Sequence, residues 1–587
     1  MNKEFKMKES LDFAISGAER EIADKSVQMA LDAGASAVMV SLDKAKTEIY
    51  ALLDGEIDNI RQTGDRSLTF NIYADGKYGT FSTNRFEEDS LRDFLCKAVE
   101  TVRMLVADPF RGLPDKKDLA TDAVNGDEMG LCWYGYDSVS RDEKLEMARR
   151  VSAFGEFSAP SSDRNWRVVS EEVEYNNTLS DTYLTSSDGC RCRQTETSFE
   201  VSSQVTVEDN DGNKYSGLWW DYGVSPEKVL SSECGRKAVE MAVMQIAPVN
   251  ADKGKYTMVV SRLVSGRLLQ PVLNALSSLS VYQKSSFLVD ALGKQVFSKG
   301  LNVMDKPLEK GKSGAILFET DGRACRNREI ISDGVVKENF TSIYMSRKLG
   351  IPPTSSCPNR PVLQPFVSEE LLGGERGGVS GAGFGAASGN GRGVELGVAC
   401  GDGRGVELGA VNGGERGTEL AGGLGAERGA VSGGGRGDEL VVVSGAGLDC
   451  SGLGGDCGEV SGAGFGAVNG GGRGTELAGG LGAEYGLKAD PFVNEIAQRD
   501  ILDLCGSGIL VTDFNGGNCN SATGDFSYGV SGFLFENGKI TSPIDSMLIT
   551  GNMTDLWSNL LAAGSDPVPG MSRQVPTLAF RDVTFNA

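Results

Sequence analysis

The sequence contains no histidine in 587 residues. Average usage would give roughly a dozen in a chain of this length. Histidine is the usual general base at neutral pH and the commonest metal ligand. Its absence excludes a His-ligated zinc peptidase or a Ser-His-Asp hydrolase built by this chain alone. Any chemistry must rely on carboxylates, cysteine, serine, lysine or a cofactor, whereas a support subunit has no reason to keep histidine.

Positive charge is also scarce, since the formal net charge is −23 and the isoelectric point is about 4.7. Nucleic acids and anionic membrane surfaces both select basic faces, so neither is an expected partner. The first residues lack the apolar core of a signal peptide. No run approaches the ~18 apolar residues of a membrane helix. We therefore expect a cytoplasmic protein.

The twelve cysteines do not form a zinc pattern. Cys190-x-Cys192 is the one close pair, and it is neither a CxxC motif nor matched by a second pair or by histidine. The sequence therefore predicts mostly reduced structural thiols and no metal or other cofactor bound by this chain.

Residues 373–486 differ from the rest in composition. They hold 43 of the 79 glycines and contain no proline, lysine or tryptophan. Such a segment buries too little apolar surface to offset its chain entropy. The motif Arg-Gly-x-Glu-Leu recurs in it at uneven spacing, beginning at Arg392, Arg404, Arg416, Arg436 and Arg473. We interpret it as a flexible, glycine-rich surface insertion that interrupts a domain, with a regular glycine-rich array as the alternative.

Ordinary globular sequence stands on both sides of this segment. Helical periodicity predicts helices over 18–33, 89–106, 142–157 and 227–245. Alternation and turn residues predict strands over 35–42, 48–53, 67–73, 256–261, 314–318, 509–513, 529–536 and 547–549, with a strand-rich meander over 168–207 and 214–220.

These elements indicate an α+β protein. We predict an N-terminal α+β domain over 1–110 and a central helix and β-meander region over 111–250. A β-rich C-terminal domain over 251–587 would follow, interrupted by the insert. Trp219, Trp220 and Trp557 are expected to be core or interface anchors, because aromatic side chains bury large areas.

Several blocks, in order, resemble the TldD/PmbA family, once described as modulators of DNA gyrase. They include SGRLL at 265–269, SVYQKSSFL at 280–288, ISDGVV at 331–336, GDFSYG at 524–529 and ITGNM at 549–553. Each block is weak alone, but their order makes the resemblance specific, and it covers most of the chain outside 373–486. The pattern of 18–83 also resembles the family's N-terminal domain.

The family contains two kinds of subunit. TldD-like chains carry a zinc motif, HExxxH, on a helix, whereas PmbA-like (TldE) chains lack it and partner the zinc subunit. The register of the preceding leucines places the motif's slot here at 270–275. Gln270 and Ala275 would stand where the ligands stand, Pro271 where the glutamate stands, and Asn274 beside them. An amide, an imide ring and a methyl group do not hold zinc.

The resemblance implies a PmbA-like chain that forms part of an enclosed peptide-cleaving cavity. Zinc would be bound by a TldD-like partner in a heterodimer or larger assembly, and the substrate would be a peptide. The glycine-rich insert departs from the family's pattern.

Possible peptide-contacting residues are Lys284, Ser285, Ser286, Asn518 and Asp525. Turns and loops are the expected setting for them. Lys284 and its neighbouring serines also permit a Ser-Lys nucleophile pair, although no surrounding S-x-x-K pattern supports it.

Two other functions remain open. The first is a stand-alone homodimeric peptide-binding protein without catalysis, and the second is an unrecognised Cys or Ser hydrolase. For the second, Cys519 and Ser286 are the candidate nucleophiles, but Cys519 has no histidine to lower the pKa of its thiol.

Overall fold

The computed structural model of the protein describes residues 11–120, 126–373 and 496–586. Nearly all of the glycine-rich segment lies outside the described residues, so its flexibility stays a prediction. The described part combines helices with strand-rich sheets, which confirms the α+β class.

The first half of the chain forms one antiparallel sheet with helices on a single face. Its strands are β1 Ala37–Leu53, β2 Glu56–Ala74, β3 Lys77–Thr83, β4 Trp166–Ser186, β5 Arg191–Asp209 and β6 Lys214–Gly223. Its helices are α1 Gly17–Asp32, α2 Glu88–Met104, α3 Arg141–Val151, α4 Phe154–Phe157, α5 Glu227–Leu230 and α6 Cys234–Val243, with short 3-10 turns at Lys116–Asp118, Asp127–Met129 and Tyr136–Ser138. The strand order is β3-β2-β1-β4-β5-β6.

Alternation along β1 explains which face of this sheet is covered. Val38, Val40 and Leu42 pack with α1 and α2, and Tyr50 and Leu52, further along the same face, pack with α3 and α6. Successive side chains of a strand point to opposite faces. All four helices therefore cover one face of the sheet.

The opposite face meets the second half of the chain. Gln194 lies on this face of β5, and its amide donates to the Ala315 carbonyl while its oxygen accepts the N–H of Leu317. Cys190 and Leu184 form a small apolar cluster there with Phe318 at its edge. Residues 315–318 are thereby held against the sheet.

The second half contains β7 Gly254–Val260, α7 Gly266–Ala275, α8 Ser278–Tyr282, β8 Val303–Asp305, β9 Arg328–Ser332, β10 Val335–Val336, α9 Ile343–Leu349, β11 Pro361–Leu363, β12 Phe366–Val367 and α10 Glu369–Gly373. Beyond the undescribed segment follow α11 Ile496–Cys505, β13 Gly508–Cys519, β14 Asp525–Glu536, β15 Lys539–Asn552, α12 Met553–Ser558, β16 Leu560–Ala563 and β17 Leu578–Asn586. A small sheet has the order β10-β9-β8-β11, and a larger one has the order β12-β16-β17-β15-β14-β13-β7.

Strand β7 closes the larger sheet on itself. It pairs in parallel with β13 and antiparallel with β17, so that Met258 lies opposite both Ile509 and Phe580. Trp557 is fully buried in the core, which confirms its predicted role, and Trp219 is buried as well. Because β7 precedes the insert and both partners follow it, the two flanks of the insert belong to one folded unit.

Four secondary-structure predictions were wrong in detail. The helix over 227–245 is two helices, because the Ser232 hydroxyl accepts the N–H of Cys234 and begins α6. The helix over 142–157 breaks after α3, where the Glu171 carboxylate accepts the N–H groups of Ala153 and Phe154.

The third error is the strand over 314–318. Gly314 has a φ of +74°, and Phe318 makes only an isolated bridge to Ala324. The apolar character of 314–318 reflects packing against the first sheet rather than membership of a sheet. Conversely, the two short strands predicted over 35–42 and 48–53 are one long strand, β1.

The six-stranded sheet contains strands from both 1–110 and 111–250, since β1 pairs with β4 along almost its full length. The predicted boundary near 110 therefore passes between strands of a single sheet. The three domain ranges themselves stay predictions.

The carboxylates of Glu200 and Glu174, on the face of the six-stranded sheet opposite the helices, lead to a prediction about pH dependence. Burial, followed by the charge of Glu174, raises the pKa of Glu200 to about 7. Between about pH 4.3 and pH 7, the folded state therefore keeps Glu200 protonated, whereas the same carboxyl in the unfolded chain has released its proton. The stability contribution of Glu200 falls as pH rises from about 4.5 to about 7.

We expect Glu200→Gln, which imitates the protonated carboxyl, to stabilise the protein by about 1–2 kcal/mol at pH 8 and to change little at pH 5. Denaturant unfolding at both pH values measures this. Glu56→Gln, at an exposed position of β2, is the matched control. An equal effect of Glu200→Gln at the two pH values would contradict the assignment.

Candidate functional site

Helix α7 carries residues 270–275, which the sequence predicts to stand in the place of the zinc motif. Five of its residues are buried and hold it to the C-terminal core: Leu268, Leu269, Val272, Leu273 and Ala275. Arg267, Gln270 and Asn274 have the spacing i, i+3 and i+7, which places them along one stripe of a helix. We call these three residues the α7 polar stripe.

The slot residues do not fit a zinc ion. The Gln270 amide donates to the Asn274 side-chain oxygen over 2.5 Å, and its own oxygen is buried without a partner. Pro271 lies inside the helix and has no ionisable group, and Ala275 is buried in the core. Within 11–120, 126–373 and 496–586, no group of three or more Cys, Asp or Glu side chains is placed to hold a metal.

Arg267 links the α7 polar stripe to the larger, closed sheet. Its guanidinium donates to the Phe514 carbonyl over 3.1 Å and lies 5.6 Å and 5.8 Å from the ring centroids of Phe514 and Tyr528. Both rings are buried and pack edge to face. We did not predict the grouping of Arg267 with Phe514 and Tyr528 from the sequence. The three-residue spacing from Arg267 to Gln270 did indicate that these two residues share one face of the helix.

Arg267 lies beside an edge of β13 that has no partner strand among the described residues. Strand β7 pairs with β13 only at 509–511, whereas β14 pairs with β13 as far as Cys519. In the part of the chain that the structure describes, no strand pairs with the second edge of β13 over 512–519. Register shifts after Val511 and Phe514 bend this segment. The Arg267 contact shows that the Phe514 carbonyl points out of the sheet on this side.

A short loop after α8 connects the end of α7 to the tip of the β13–β14 hairpin. The Ser286 hydroxyl donates to the Ala275 carbonyl over 2.6 Å and accepts the N–H of Leu288 over 2.9 Å. The next residue, Phe287, donates its N–H to the Ser521 carbonyl over 2.9 Å. The structure therefore brings the loop 284–287 and the turn 520–525 together.

Lys284 and Ser286, which would form the Ser-Lys nucleophile pair, lie in different environments. Lys284 is exposed and adopts a left-handed φ of +57°, as a turn residue does, and Ser285 donates to the Ser280 carbonyl. Ser286 is buried, and its hydroxyl is occupied by two backbone groups. This geometry suits a structural cap rather than a nucleophile.

Asp525 and Asn518 lie on the exposed hairpin. Asp525 accepts hydrogen bonds from Asn552, over 3.0 Å, and from the Thr523 hydroxyl, over 2.8 Å. These two bonds lower the pKa of Asp525, so it carries its charge at neutral pH. Asn518 lies opposite Ser527, on the strand whose second edge is open.

Cys519 is a poor nucleophile in this setting. Burial, and then the negative charge of Asp525, raises the pKa of its thiol to about 11. The nucleophilic form of cysteine is the thiolate, which is scarce at neutral pH under these conditions.

Domain profiles of one family match this chain. The PmbA/TldA metallopeptidase central domain matches residues 134–246, and the corresponding C-terminal domain matches 253–367 and 489–587. Together they match more than half of the chain. The second match leaves out 368–488, which agrees with an insertion at the glycine-rich segment.

Curated relatives show the same likeness. The chain is 22% identical over 555 residues to the metalloprotease PmbA of Escherichia coli O157:H7, covering 94% of this chain and 92% of that protein. It is 23% identical over 553 residues to a PmbA homologue of Haemophilus influenzae, covering 93% and 91%.

Solved structures share the fold. A Bacteroides thetaiotaomicron protein described as a modulator of DNA gyrase is 25% identical, with a TM-score of 0.71 and coverage of 98% of this chain and 100% of that one. TldE from Thermococcus kodakarensis is 12% identical, with a TM-score of 0.62 and coverage of 96% and 100%. The fold and the matched domains are those of metallopeptidase-related α+β proteins. The chain belongs to the TldD/PmbA family, as its sequence blocks predicted.

The capping role of Ser286 generates a mutational prediction. Ser286→Ala leaves the buried Ala275 carbonyl and Leu288 N–H without this partner, which costs about 1–3 kcal/mol of unfolding free energy. Ser285→Ala is the control and should change stability by less than about 0.5 kcal/mol. Thermal or denaturant unfolding measures both. A fully stable Ser286→Ala protein that has lost a hydrolytic activity would restore the nucleophile hypothesis.

Proposed function

We propose that this chain is a PmbA/TldE-like subunit of a TldD-type zinc metallopeptidase that processes peptides, and that it binds no metal itself. The observation that carries the proposal is the chemistry of the α7 slot. Gln270, Pro271 and Ala275 offer no metal ligand set there, and the chain has no histidine to supply one. Zinc would therefore come with a TldD-like partner.

The open edge of β13 supports a role in peptide binding. Extended peptides bind to exposed sheet edges through main-chain hydrogen bonds, with side chains of the receptor adding specificity. Arg267 of the α7 polar stripe borders the edge over 512–519, and Asp525 begins the neighbouring strand β14 beyond the turn at its end. We infer that a substrate peptide adds to this edge, with Asn518 and Asp525 contacting it and Lys284 and Ser285 on the adjoining loop.

A cytoplasmic location suits this proposal. No helix among the described residues combines the length and apolarity needed to cross a membrane. The charge of −23 opposes binding to nucleic acid or to anionic lipid. The expected partners are a TldD-like chain and a peptide, with self-association into a homodimer as the alternative.

The test is to co-express this chain with a TldD-like protein of the same organism, purify the complex, and assay zinc and cleavage of a fluorogenic peptide. We expect zinc to accompany the partner and cleavage to need both chains. Arg267→Ala should raise the KM of the mixture several-fold without changing its zinc content, because it alters the binding edge and no ligand. Glu56→Gln is the control distant from the edge.

Other outcomes would select the alternatives. A homodimer that binds the peptide but neither binds the TldD-like chain nor alters its activity would select the stand-alone binding protein. Cleavage by this chain alone that survives a chelator and is lost in Cys519→Ala would select the hydrolase. Either result would contradict the proposed complex.

A further inference from the structure

Two cysteines lie side by side where the β4–β5 hairpin turns. Cys190 directly precedes β5, and Cys192 is the second residue of that strand. Residues i and i+2 of an extended chain point to the same face. Their Sγ atoms are 3.5 Å apart, and the two residues are 2% and 0% exposed.

The pair lies at the junction between the six-stranded sheet and the second half of the chain. The Cys192 thiol donates to the Ala120 carbonyl over 3.3 Å, and the Cys190 thiol lies 3.9 Å from the Gly322 carbonyl. The Ala120 N–H in turn donates to the Gly322 carbonyl. A Cβ at position 322 would lie 2.7 Å from the Cys190 sulfur, so glycine is needed for this approach.

Solvent lies close to the buried pair. Gly189 precedes Cys190, is exposed and forms the turn with a left-handed φ of +92°. We expect a small oxidant to reach Cys190 from this exposed turn, whereas the packed residues of the junction, such as Met39 and Leu113, hinder a larger reagent.

We propose that Cys190 and Cys192 form a redox-active dithiol, which hydrogen peroxide converts to an intra-strand disulfide. The observation that carries the proposal is the direct contact of two thiols on one face of the chain. The inference is independent of the proposed peptidase role.

The reaction balances as two thiols and one peroxide giving one disulfide and two waters. The Cys190 thiolate attacks a peroxide oxygen, the O–O bond breaks, and the hydroxide released takes a proton to become water. The Cys192 sulfur then attacks the Cys190 sulfenic acid, the S–O bond breaks, and the second hydroxide leaves as water with the Cys192 proton. Cys190 is flanked by the exposed Gly189 and Arg191 and is the more exposed of the two cysteines, at 2% against 0%, which suits it as the first nucleophile.

The geometry permits the bond but does not favour it strongly. The sulfurs must approach from 3.5 Å to about 2.05 Å. Alternate Cα atoms of a strand are roughly 6.7 Å apart, near the upper end of the range for disulfides. A disulfide here should therefore be easily reduced, as regulatory disulfides are.

Oxidation also removes the two S–H donors at the junction. Ala120 and Gly322 then lose their thiol contacts, which loosens the attachment of 118–120 and 322–324 to the hairpin. The amide of Ala324, which donates to the Asp118 carbonyl, reports on the same junction.

The test treats the full chain with hydrogen peroxide, alkylates it under denaturing conditions and maps chymotryptic peptides, in which no aromatic residue or leucine separates the pair. We expect the peptide with both cysteines to be lighter by two hydrogen atoms and to resist alkylation until dithiothreitol is added. Amide exchange at Ala120 and Ala324 should become several-fold faster after oxidation.

Variants distinguish the two thiols. Cys192→Ser should stop at a Cys190 sulfenic acid that dimedone traps, and Cys96→Ser, at an exposed position of α2, should leave the disulfide unchanged. The peptide map of the wild-type protein tests the disulfide without depending on the folding of any variant. The proposal fails if Cys190 and Cys192 both remain alkylatable under conditions that oxidise Cys96, or if either of them pairs with another cysteine instead.

Discussion

The pairing of β7 with both β13 and β17 is the constraint on which the C-terminal half depends. Met258, Val259 and Val260 have neighbours on both strand edges, from segments about 250 and 320 positions further along the chain. All three are fully buried. Closure satisfies the backbone groups of a central strand and removes an exposed edge, which open sheets must otherwise protect. It also places the two flanks of the glycine-rich segment in one folded unit.

Closure fixes the position of α7, which follows β7 directly. Ser265 at its start donates to the Val575 carbonyl, Trp557 donates from its indole to the Leu268 carbonyl, and Ser286 caps its end. These contacts come from three separate parts of the chain. The helix is therefore held in place independently of any metal, and its exposed side can carry amides instead of zinc ligands. We regard the family scaffold and the lack of a zinc-binding set in α7 as the two features on which the proposed role rests.

The sequence predicted local features well because local patterns determine them. Helix α1 starts at a capping box formed by Ser16 and Glu19, and its bounds lie within one residue of the prediction. The strands predicted over 509–513 and 529–536 lie within β13 and β14. The pairing of β1 with β4 was not predictable, because a strand does not specify its distant partner in a single sequence. The same holds for Arg267, whose contacts with Phe514 and Tyr528 cross about 250 and 260 positions, and for 314–318, whose apolar residues pack on a distant sheet.

The open edge of β13 gives the account its most direct test. A fluorescein-labelled peptide of alternating threonine and valine would be titrated against the purified chain in the presence of a chelator. N-methyl groups would be placed on alternate residues of one parity or of the other. The account predicts metal-independent binding that one parity weakens roughly tenfold and the other leaves nearly unchanged, because only alternate N–H groups of an added strand face its neighbour. Equal weakening by both parities, or binding that requires zinc, would contradict it.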